Sequence, residues 1–234
     1  PALQAPAITD ELPVAAVQAF SIDDSQTTEI DDALSLQGLG SGTVTLGIHI
    51  AAPGLAIKPE DAIDAVARHR LSTVYMPGHK VTMLPDAVVQ AYTLEAGRDC
   101  PAVSLYVSFD EATLELKDSR TALERVPIAH NLRHDQLDSV ITEDWLTQAA
   151  GAGEATAEIA ALQPQLAFIF RLAKHLKAQR EVVRGKPETF NRPDYSFKLQ
   201  GVAGSEPDGS ETVLIGTRSR GAPLDLMVAE ATIL

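Results

Sequence analysis

Five carboxylates fall within ten residues near the beginning of the sequence, and their types and spacing could support chemistry. They belong to Asp23, Asp24, Glu29, Asp31 and Asp32. Carboxylates brought this close together cost free energy unless cations or hydrogen-bond donors neutralise them. Their hard oxygens select Mg²⁺, Mn²⁺ or Ca²⁺ over softer metals. Because the segment lacks the glycine and the closing glutamate of an EF-hand loop, it favours a Mg²⁺ site built from two or three carboxylates and a substrate phosphate. A solvated acidic turn is the competing interpretation.

The composition of the chain excludes several classes of protein. With 234 residues, of which 45% are hydrophobic, the chain can form one large packed domain or at most two. No apolar run is long enough to span a membrane, and the N-terminal segment does not resemble a secretory signal. A single cysteine, Cys100, excludes an intramolecular disulfide framework and a cysteine-cluster zinc site. These features indicate a cytoplasmic location, and the net charge of −13 argues against diffuse attraction to nucleic acid.

Alternating apolar residues predict the strands that must position the acidic segment. Strands are expected over 43–51, 102–109 and 212–217, and Leu114 and Leu116 indicate a hairpin partner for the second of them. Interspersed helical patterns complete an α+β fold with an antiparallel-rich mixed sheet and surrounding helices.

The clearest helix is predicted over 157–184, with Gly185 as its end. Pro164 lies inside it, although proline suits only a first turn or a kink. One face of this helix is basic, and it is either a solvated surface or a phosphate-binding face: Arg171, Lys174, Lys177, Arg180 and Arg184. A last helix begins near Pro223, and its apolar stripe is Leu224, Met227, Val228 and Ala231.

Several segments, in order from about residue 19 to residue 234, resemble the RNB family, the catalytic domain of ribonuclease II and ribonuclease R type exoribonucleases. Ser21-Ile-Asp followed by Glu29-Ile-Asp-Asp-Ala-Leu is similar to the family signature T-I-D, six residues, D-x-D-D-A. Further similar segments are Ser72-Thr-Val-Tyr-Met-Pro-Gly, Met83-Leu-Pro, Asn131-Leu-Arg-His-Asp-Gln-Leu-Asp, Phe190-Asn-Arg-Pro and Glu230-Ala-Thr-Ile-Leu.

This resemblance implies how the chain is divided. Residues 1–18 would be a lead-in segment, and residues 19–234 would be the N-terminal portion of an RNB domain whose C-terminal portion is absent. The remaining portion of the domain and flanking OB-type modules are then the expected partners, and the stripe of the last helix is expected to pack partly against the absent portion. The 234-residue piece alone is not expected to be a competent nuclease.

The resemblance also implies roles for individual residues. Asp23, Asp31 and Asp32 would be catalytic, and the metal ligands would be these three together with Glu29. Two aromatic residues, Tyr75 and Phe190, would stack on RNA bases. The chain departs from the family at Glu29 and Ala52, where the family has aspartate. His49, on the strand before Ala52, is interpreted as structural.

The implied function is metal-dependent hydrolysis of single-stranded RNA from 3′ to 5′, with release of nucleoside 5′-monophosphates by a two-metal mechanism. Mg²⁺ is the expected ion and Mn²⁺ the alternative, and no membrane partner is expected. An RNA-binding or assembly module of RNB ancestry with impaired catalysis is the alternative function, because Glu29 and Ala52 depart from the family pattern.

Overall fold

The computed structural model describes residues 11–148, 155–187, 194–200, 209–218 and 221–231. In chain order the strands are β1 (Ala19–Asp23), β2 (Asp32–Gln37), β3 (Thr43–Ala51), β4 (Val74–Met76), β5 (His79–Val81), β6 (Asp99–Asp110), β7 (Leu116–Arg133), β8 (Asp194–Gln200) and β9 (Thr212–Arg218). The helices are α1 (Ala62–Arg70), α2 (Asp86–Tyr92), α3 (His134–Leu137), α4 (Glu143–Thr147), α5 (Ala157–Arg184) and α6 (Pro223–Ala231). The α+β class predicted from the sequence is confirmed.

The chain forms two compact units. The larger unit comprises Thr9–Pro53, Tyr92–Glu188 and Ala222–Leu234, and the smaller comprises Pro1–Ile8, Gly54–Ala91 and Thr189–Gly221.

A closed five-stranded barrel, in the order β1-β2-β3-β6-β7, is the centre of the larger unit. Neighbouring strands are antiparallel except where β1 closes the barrel by pairing parallel to β7. In that parallel pair Asp23 lies opposite Arg133, the last residues of their strands. The loop after β1 and the helix after β7 therefore begin at the same end of the barrel.

The barrel strands carry two apolar clusters on opposite faces. Ala33 and Leu34 are successive residues of β2 and belong to different clusters, as strand alternation requires. The cluster that includes Leu34 also contains residues of α4, α5 and α6, so these helices cover that face. Burial on both faces fixes the register of the barrel, because a slip of one residue would exchange the two sets of side chains.

Helix α5 has the bounds predicted from its periodicity. Thr156 caps its first turn by accepting a hydrogen bond from the Ile159 amide, and Gly185 ends it with a left-handed φ of 69°. The helix continues through Pro164, where a proline costs about 3 kcal/mol or more. Leu162 and Leu166 on either side of the proline are buried, and such packing offsets this cost.

The basic face of α5 is engaged within the chain. Arg171 donates to the backbone carbonyl of Glu111, and Lys174 and Arg180 form ion pairs with Glu143 and Glu230. The two ion pairs compensate part of the positive charge of this face within the chain. Whether the face is only a solvated surface or also binds phosphate stays a prediction.

Helix α6 differs from the expectation for the end of the chain. Its stripe residues Leu224, Met227 and Ala231 are buried in the same cluster as α5, and Val228 packs partly against it. Residues of this chain therefore already cover the stripe. The expectation that the stripe packs partly against a portion absent from the chain is wrong for these buried residues.

The smaller unit contains two short antiparallel pairs, β4–β5 and β8–β9, together with α1 and most of α2. Asp61 caps α1 by accepting from the amides of Ile63 and Asp64. Tyr75 lies on β4 opposite Lys80, and its side chain is 65% exposed. None of the helices in the described ranges is long and apolar enough to cross a membrane.

Candidate active site in the acidic loop

The predicted acidic residues gather around one end of the barrel. Asp23 ends β1, Asp32 begins β2, and Asp31 lies in the loop of residues 24–31 that joins these antiparallel strands. The Asp31 carbonyl accepts a hydrogen bond of 2.8 Å from the Ala51 amide, which continues the pairing of β2 with β3 into the loop. The backbone thus fixes Asp31 and Asp32 independently of their side chains.

Burial and mutual repulsion perturb the carboxylates at this end. Burial, followed by the charges of Asp23 and Asp31, raises the pKa of Asp32 to about 6. The pKa of Asp31 is raised by burial, then by the charges of Glu29 and Asp23. Burial also raises the pKa of Asp23, although a hydrogen bond from Ser21 acts in the opposite direction. The Asp23 Oδ2 atom is buried without a hydrogen-bond partner. Three carboxylates that resist ionisation together are what a bound cation would relieve.

The same carboxylates do not form a complete protein cage for a metal. Among the described residues, no group of three or more His, Cys, Asp or Glu side chains has an arrangement that could hold an ion. Mg²⁺ commonly uses only one or two carboxylates and completes its shell with water and substrate phosphate. The orphaned, buried oxygen of Asp23 and the raised pKa of Asp32 fit such an open site.

The first half of the loop is held by residues from the end of β7. Residues 24–27 form a turn in which the Thr27 amide donates to the Asp24 carbonyl at 2.9 Å. Arg133 Nη1 lies 2.9 Å from that same carbonyl and 3.4 Å from the carbonyl of Thr27. Asp135 Oδ1 accepts from the Ser25 hydroxyl at 2.5 Å and from the Ser25 amide at 3.2 Å.

The second half of the loop is held from the segment after α2. The hydroxyl of Thr93 accepts a 2.8 Å hydrogen bond from the Ile30 amide and donates to the Thr28 carbonyl at 3.2 Å. The Leu94 amide donates to the Ile30 carbonyl at 2.9 Å. Both halves of the loop are therefore fastened to the larger unit by hydrogen bonds.

A chain of two hydrogen bonds connects Asn131, through Ser21, to the Asp23 carboxylate. Asn131 Nδ2 donates to the Ser21 hydroxyl at 3.0 Å, and Ser21 in turn hydrogen-bonds the Asp23 carboxylate. Ser21 is 1% exposed, so this support lies inside the barrel wall. It stabilises the ionised form of Asp23 against the effect of burial.

The remaining predicted residues are distributed differently. Glu29 is half-buried, and its charge acts on Asp31, whereas Asp24 is exposed. Ala52 is buried, and its amide donates to the Pro101 carbonyl at 3.2 Å. Tyr75 belongs to the smaller unit, and Phe190 lies outside the described residues.

His49 is a buried structural residue, in agreement with its interpretation from the sequence. Its Nε2 and Nδ1 atoms each lie 2.8 Å from a hydroxyl oxygen, that of Ser35 and that of Ser104. The Tyr106 ring packs edge-on to the imidazole, with 5.6 Å between centroids. Burial lowers the pKa of His49 to about 4, so the imidazole is neutral near neutral pH.

Sequence reasoning missed the residues that hold the loop. Arg133, Asp135 and Asn131 lie in one of the segments that resemble the RNB family, but no role follows from that resemblance alone. Thr93 gives no signal in the sequence, since a single threonine after a short helix has no distinctive pattern. The parallel pairing of β1 with β7, a contact between distant parts of the chain, shows why Asn131, Arg133 and Asp135 meet the acidic loop.

The sequence matches the RNB domain over residues 13–233, and the chain therefore belongs to the RNB family. Exoribonuclease 2 of Vibrio parahaemolyticus serotype O3:K6 is 31% identical over 185 residues, which are 78% of this chain. The matched part is only 26% of that relative, so the chain spans about a quarter of its length.

Solved structures share the fold. RNase R of Mycoplasma genitalium, in complex with ribose-methylated single-stranded RNA, superposes with a TM-score of 0.72 at 17% identity. This match covers 94% of the present chain and 31% of that one. Yeast Ssd1, described as a pseudonuclease, superposes with a TM-score of 0.62 at 22% identity. That match covers 81% of this chain and 22% of the Ssd1 chain. The fold thus occurs both in an RNase R and in a protein described as a pseudonuclease.

Proposed function

We propose that this chain carries the acidic half of an exoribonuclease site that hydrolyses single-stranded RNA from 3′ to 5′ and releases nucleoside 5′-monophosphates. The observation that carries the proposal is the group of mutually repelling carboxylates at the barrel end, with a buried Asp23 oxygen that has no partner and an Asp32 pKa of about 6. Family membership and the likeness to an RNA-bound RNase R support RNA as the substrate.

The proposed ligands of Mg²⁺, or of Mn²⁺, are Asp23 and Asp32, with Asp31 and Glu29 completing the acidic set. Two such ions, when bound, lower the pKa of a water and stabilise charge on the attacking and leaving oxygens. The chain itself presents the carboxylates on a loop whose two halves are hydrogen-bonded to the barrel, so their positions are set before substrate arrives.

Tyr75 is proposed as a stacking surface for a base. Tyr75 is 65% exposed, so its side chain lies at the surface of the smaller unit. Stacking on an aromatic ring is worth about 1–3 kcal/mol per base and does not depend on base identity. Such a contact suits an enzyme that degrades RNA of any sequence. Phe190 remains a proposed second stacking residue on sequence grounds alone.

An RNA-binding module without catalysis is the second candidate function. It is favoured by Glu29, which replaces the family's aspartate, and by the absence of a three-ligand group in the described part of the chain. The likeness to Ssd1, which is described as a pseudonuclease, supports this candidate.

The deciding experiment uses the protein at its natural length with 5′-labelled single-stranded RNA in Mg²⁺ or in EDTA. The nuclease proposal expects a ladder that shortens from the 3′ end in Mg²⁺ and no degradation in EDTA. Retention of the labelled RNA on the protein without shortening in Mg²⁺ would establish the binding module instead. An Asp32→Asn variant serves as the internal control, because it should bind RNA and leave it intact.

A further inference from the structure

The turn that follows Asp23 is held by one cationic side chain. A single guanidinium nitrogen, Arg133 Nη1, reaches the carbonyls at both ends of this turn, those of Asp24 and Thr27. Arg133 is the last residue of β7 and pairs directly with Asp23 across the parallel closure of the barrel. The strand pairing therefore fixes the backbone of Arg133 relative to Asp23, and the Arg133 side chain holds the turn of residues 24–27 that follows Asp23.

We propose that Arg133 is a positioning residue of the acidic site. By bridging the two carbonyls of the turn, Arg133 sets the path of the loop from Asp23 to Asp31 and hence the separation of the carboxylates. The inference rests on the proposed function, because it gives Arg133 a purpose only if those carboxylates hold an ion together. Arg133 itself touches the turn and not the reacting atoms.

The charge of Arg133 supports the same role. Its positive charge favours the ionised form of Asp23, against the burial that disfavours it. A loop that carries three acids and lies between two more, Asp23 and Asp32, is easier to keep compact with a cation nearby. Arg133 supplies that cation while its hydrogen bonds go to two backbone oxygens of the turn.

A second contact holds the middle of the same turn. Asp135 lies two residues after Arg133 and binds both the amide and the hydroxyl of Ser25. The turn is thus held at its two ends by a donor and at its centre by an acceptor. Gln136 adds a 3.3 Å hydrogen bond from Nε2 to the Ser25 hydroxyl oxygen. A short stretch at the end of β7 therefore controls the geometry of the loop.

Arginine is better suited to this task than lysine. The planar guanidinium holds its N–H groups in a rigid arrangement, whereas a lysine ammonium is a flexible point charge. Arg133→Lys should keep the charge near Asp23 but hold the turn less firmly. Arg133→Ala removes both. The two variants therefore separate the electrostatic part of the role from the geometric part.

The test measures Mn²⁺ affinity by electron paramagnetic resonance, together with kcat and KM for single-stranded RNA, on the protein at its natural length. Arg133→Ala should weaken Mn²⁺ binding about 10- to 100-fold, the range typical of residues that orient metal ligands, and should lower kcat more than it raises KM. Arg133→Lys should fall between Arg133→Ala and the wild type. Added guanidinium should restore part of the Mn²⁺ affinity of Arg133→Ala. Arg68→Ala is the matched control, since Arg68 is 71% exposed and pairs with Asp64 in the smaller unit.

Three results would overturn the inference or its basis. Wild-type Mn²⁺ affinity in both Arg133 variants would show that the side chain does not position the loop. If Arg133→Ala does not fold, Arg133→Lys alone decides, and wild-type affinity in it overturns the inference. A rise in KM with unchanged Mn²⁺ affinity would instead make Arg133 an RNA contact. Absence of Mn²⁺ binding by the wild type would contradict the proposed function itself.

Discussion

Asp31 is the carboxylate whose substitution best separates chemistry from folding. Its structural hydrogen bond is made by the backbone, since the Asp31 carbonyl accepts from the Ala51 amide. Asp31→Asn is nearly isosteric and removes one negative charge from the acidic set. We expect kcat to fall on the order of 100-fold or more, the scale seen when a group that stabilises developing charge is lost.

Binding of RNA to the Asp31→Asn variant should remain within about threefold of the wild type, because affinity depends on stacking and phosphate contacts elsewhere. Single-turnover kinetics and a filter-binding assay measure the two quantities. Asp118→Asn, on an exposed part of β7, is the control for a lost surface charge. Turnover near the wild-type rate would remove Asp31 from the proposed ligand set.

Glu29 offers a second prediction because its charge reaches Asp31. The loop around it is fastened at both halves, so we expect it to have adapted to the longer side chain. Glu29→Asp should then draw the carboxylate away from the ion and lower the initial rate at limiting Mg²⁺. Titration of Mg²⁺ against rate for both forms tests this. A higher rate in Glu29→Asp than in the wild type would mean that the loop retains the geometry of the family's aspartate. Identical Mg²⁺ titration curves for the two proteins would mean that Glu29 is not a ligand.

Tyr75 tests the stacking part of the proposal. Tyr75→Ala should weaken RNA binding roughly 5- to 150-fold, which corresponds to the loss of about 1–3 kcal/mol of stacking. Tyr75→Phe should bind like the wild type, because the ring face is retained. Since the side chain is 65% exposed, neither change should alter the melting temperature. If Tyr75→Ala reduces the affinity for poly(U) and the affinity for poly(A) by the same factor, the lost contact is stacking. A reduction for only one of the two RNAs would contradict this.

At the scale of elements, the regular parts of the fold could be predicted and the barrel could not. The period of Leu162, Leu166 and Ile169 together with Gly185 was sufficient to place α5, because both signals are local. The alternation of Val44, Leu46 and Ile48 likewise placed β3. Each of these elements carries a continuous apolar stripe, so the pattern of the sequence records it directly.

Barrel closure depends on contacts that the local pattern does not record. The pairing of Ser21 with Asn131 joins strands that are far apart in the chain, and no periodicity indicates it. The carboxylates of the site could be named from their spacing, whereas Arg133 and Thr93 could not, because their function depends on where the barrel brings them. The sequence therefore predicted the acids of the site and missed the residues that hold them.

The buried His49 of β3 makes the free energy of unfolding depend on pH. His49 has an ordinary pKa of 6.5 and a folded pKa of about 4, so the unfolded chain binds more protons between these values. The contribution of His49 to stability is therefore highest above pH 6.5 and is lost as the pH falls toward 4, by roughly 3 kcal/mol. Asp32, whose folded pKa is raised to about 6, gains stability over the same range, so the two effects oppose each other in the wild type. Urea unfolding of the wild type and of His49→Gln at pH 7.5, 6, 5 and 4 isolates the part that belongs to His49. The stability of the wild type relative to the variant should decrease as the pH falls, and a constant difference would place the titration elsewhere.

At the scale of the whole molecule, the smaller unit exposes an apolar face on β8–β9. Phe197 lies opposite Ile215, and Tyr195 shares their face; the three side chains are 51%, 66% and 57% exposed. A two-stranded sheet is marginal alone, and such a face favours association. We expect the 234-residue chain to self-associate at micromolar concentration, as light scattering would measure.

The double substitution Phe197→Ser and Ile215→Thr should increase the monomer fraction in that measurement. Leu214→Ser on the opposite face is the matched control, since Leu214 is 47% exposed and pairs with Lys198. Equal association of all three proteins would show that the β8–β9 face is not the contact.

The parallel pairing of β1 with β7 also determines when the acidic loop can become ordered during biosynthesis. Ser25 and its anchor Asp135 are 110 residues apart, so the ribosome releases the loop well before the residues that hold it. At ordinary rates of translation this interval is roughly 5–20 s. Throughout it the five carboxylates belong to an unanchored segment with no fixed separation. A nascent chain is thereby kept without an ordered acidic site until β7 has been made and has joined β1.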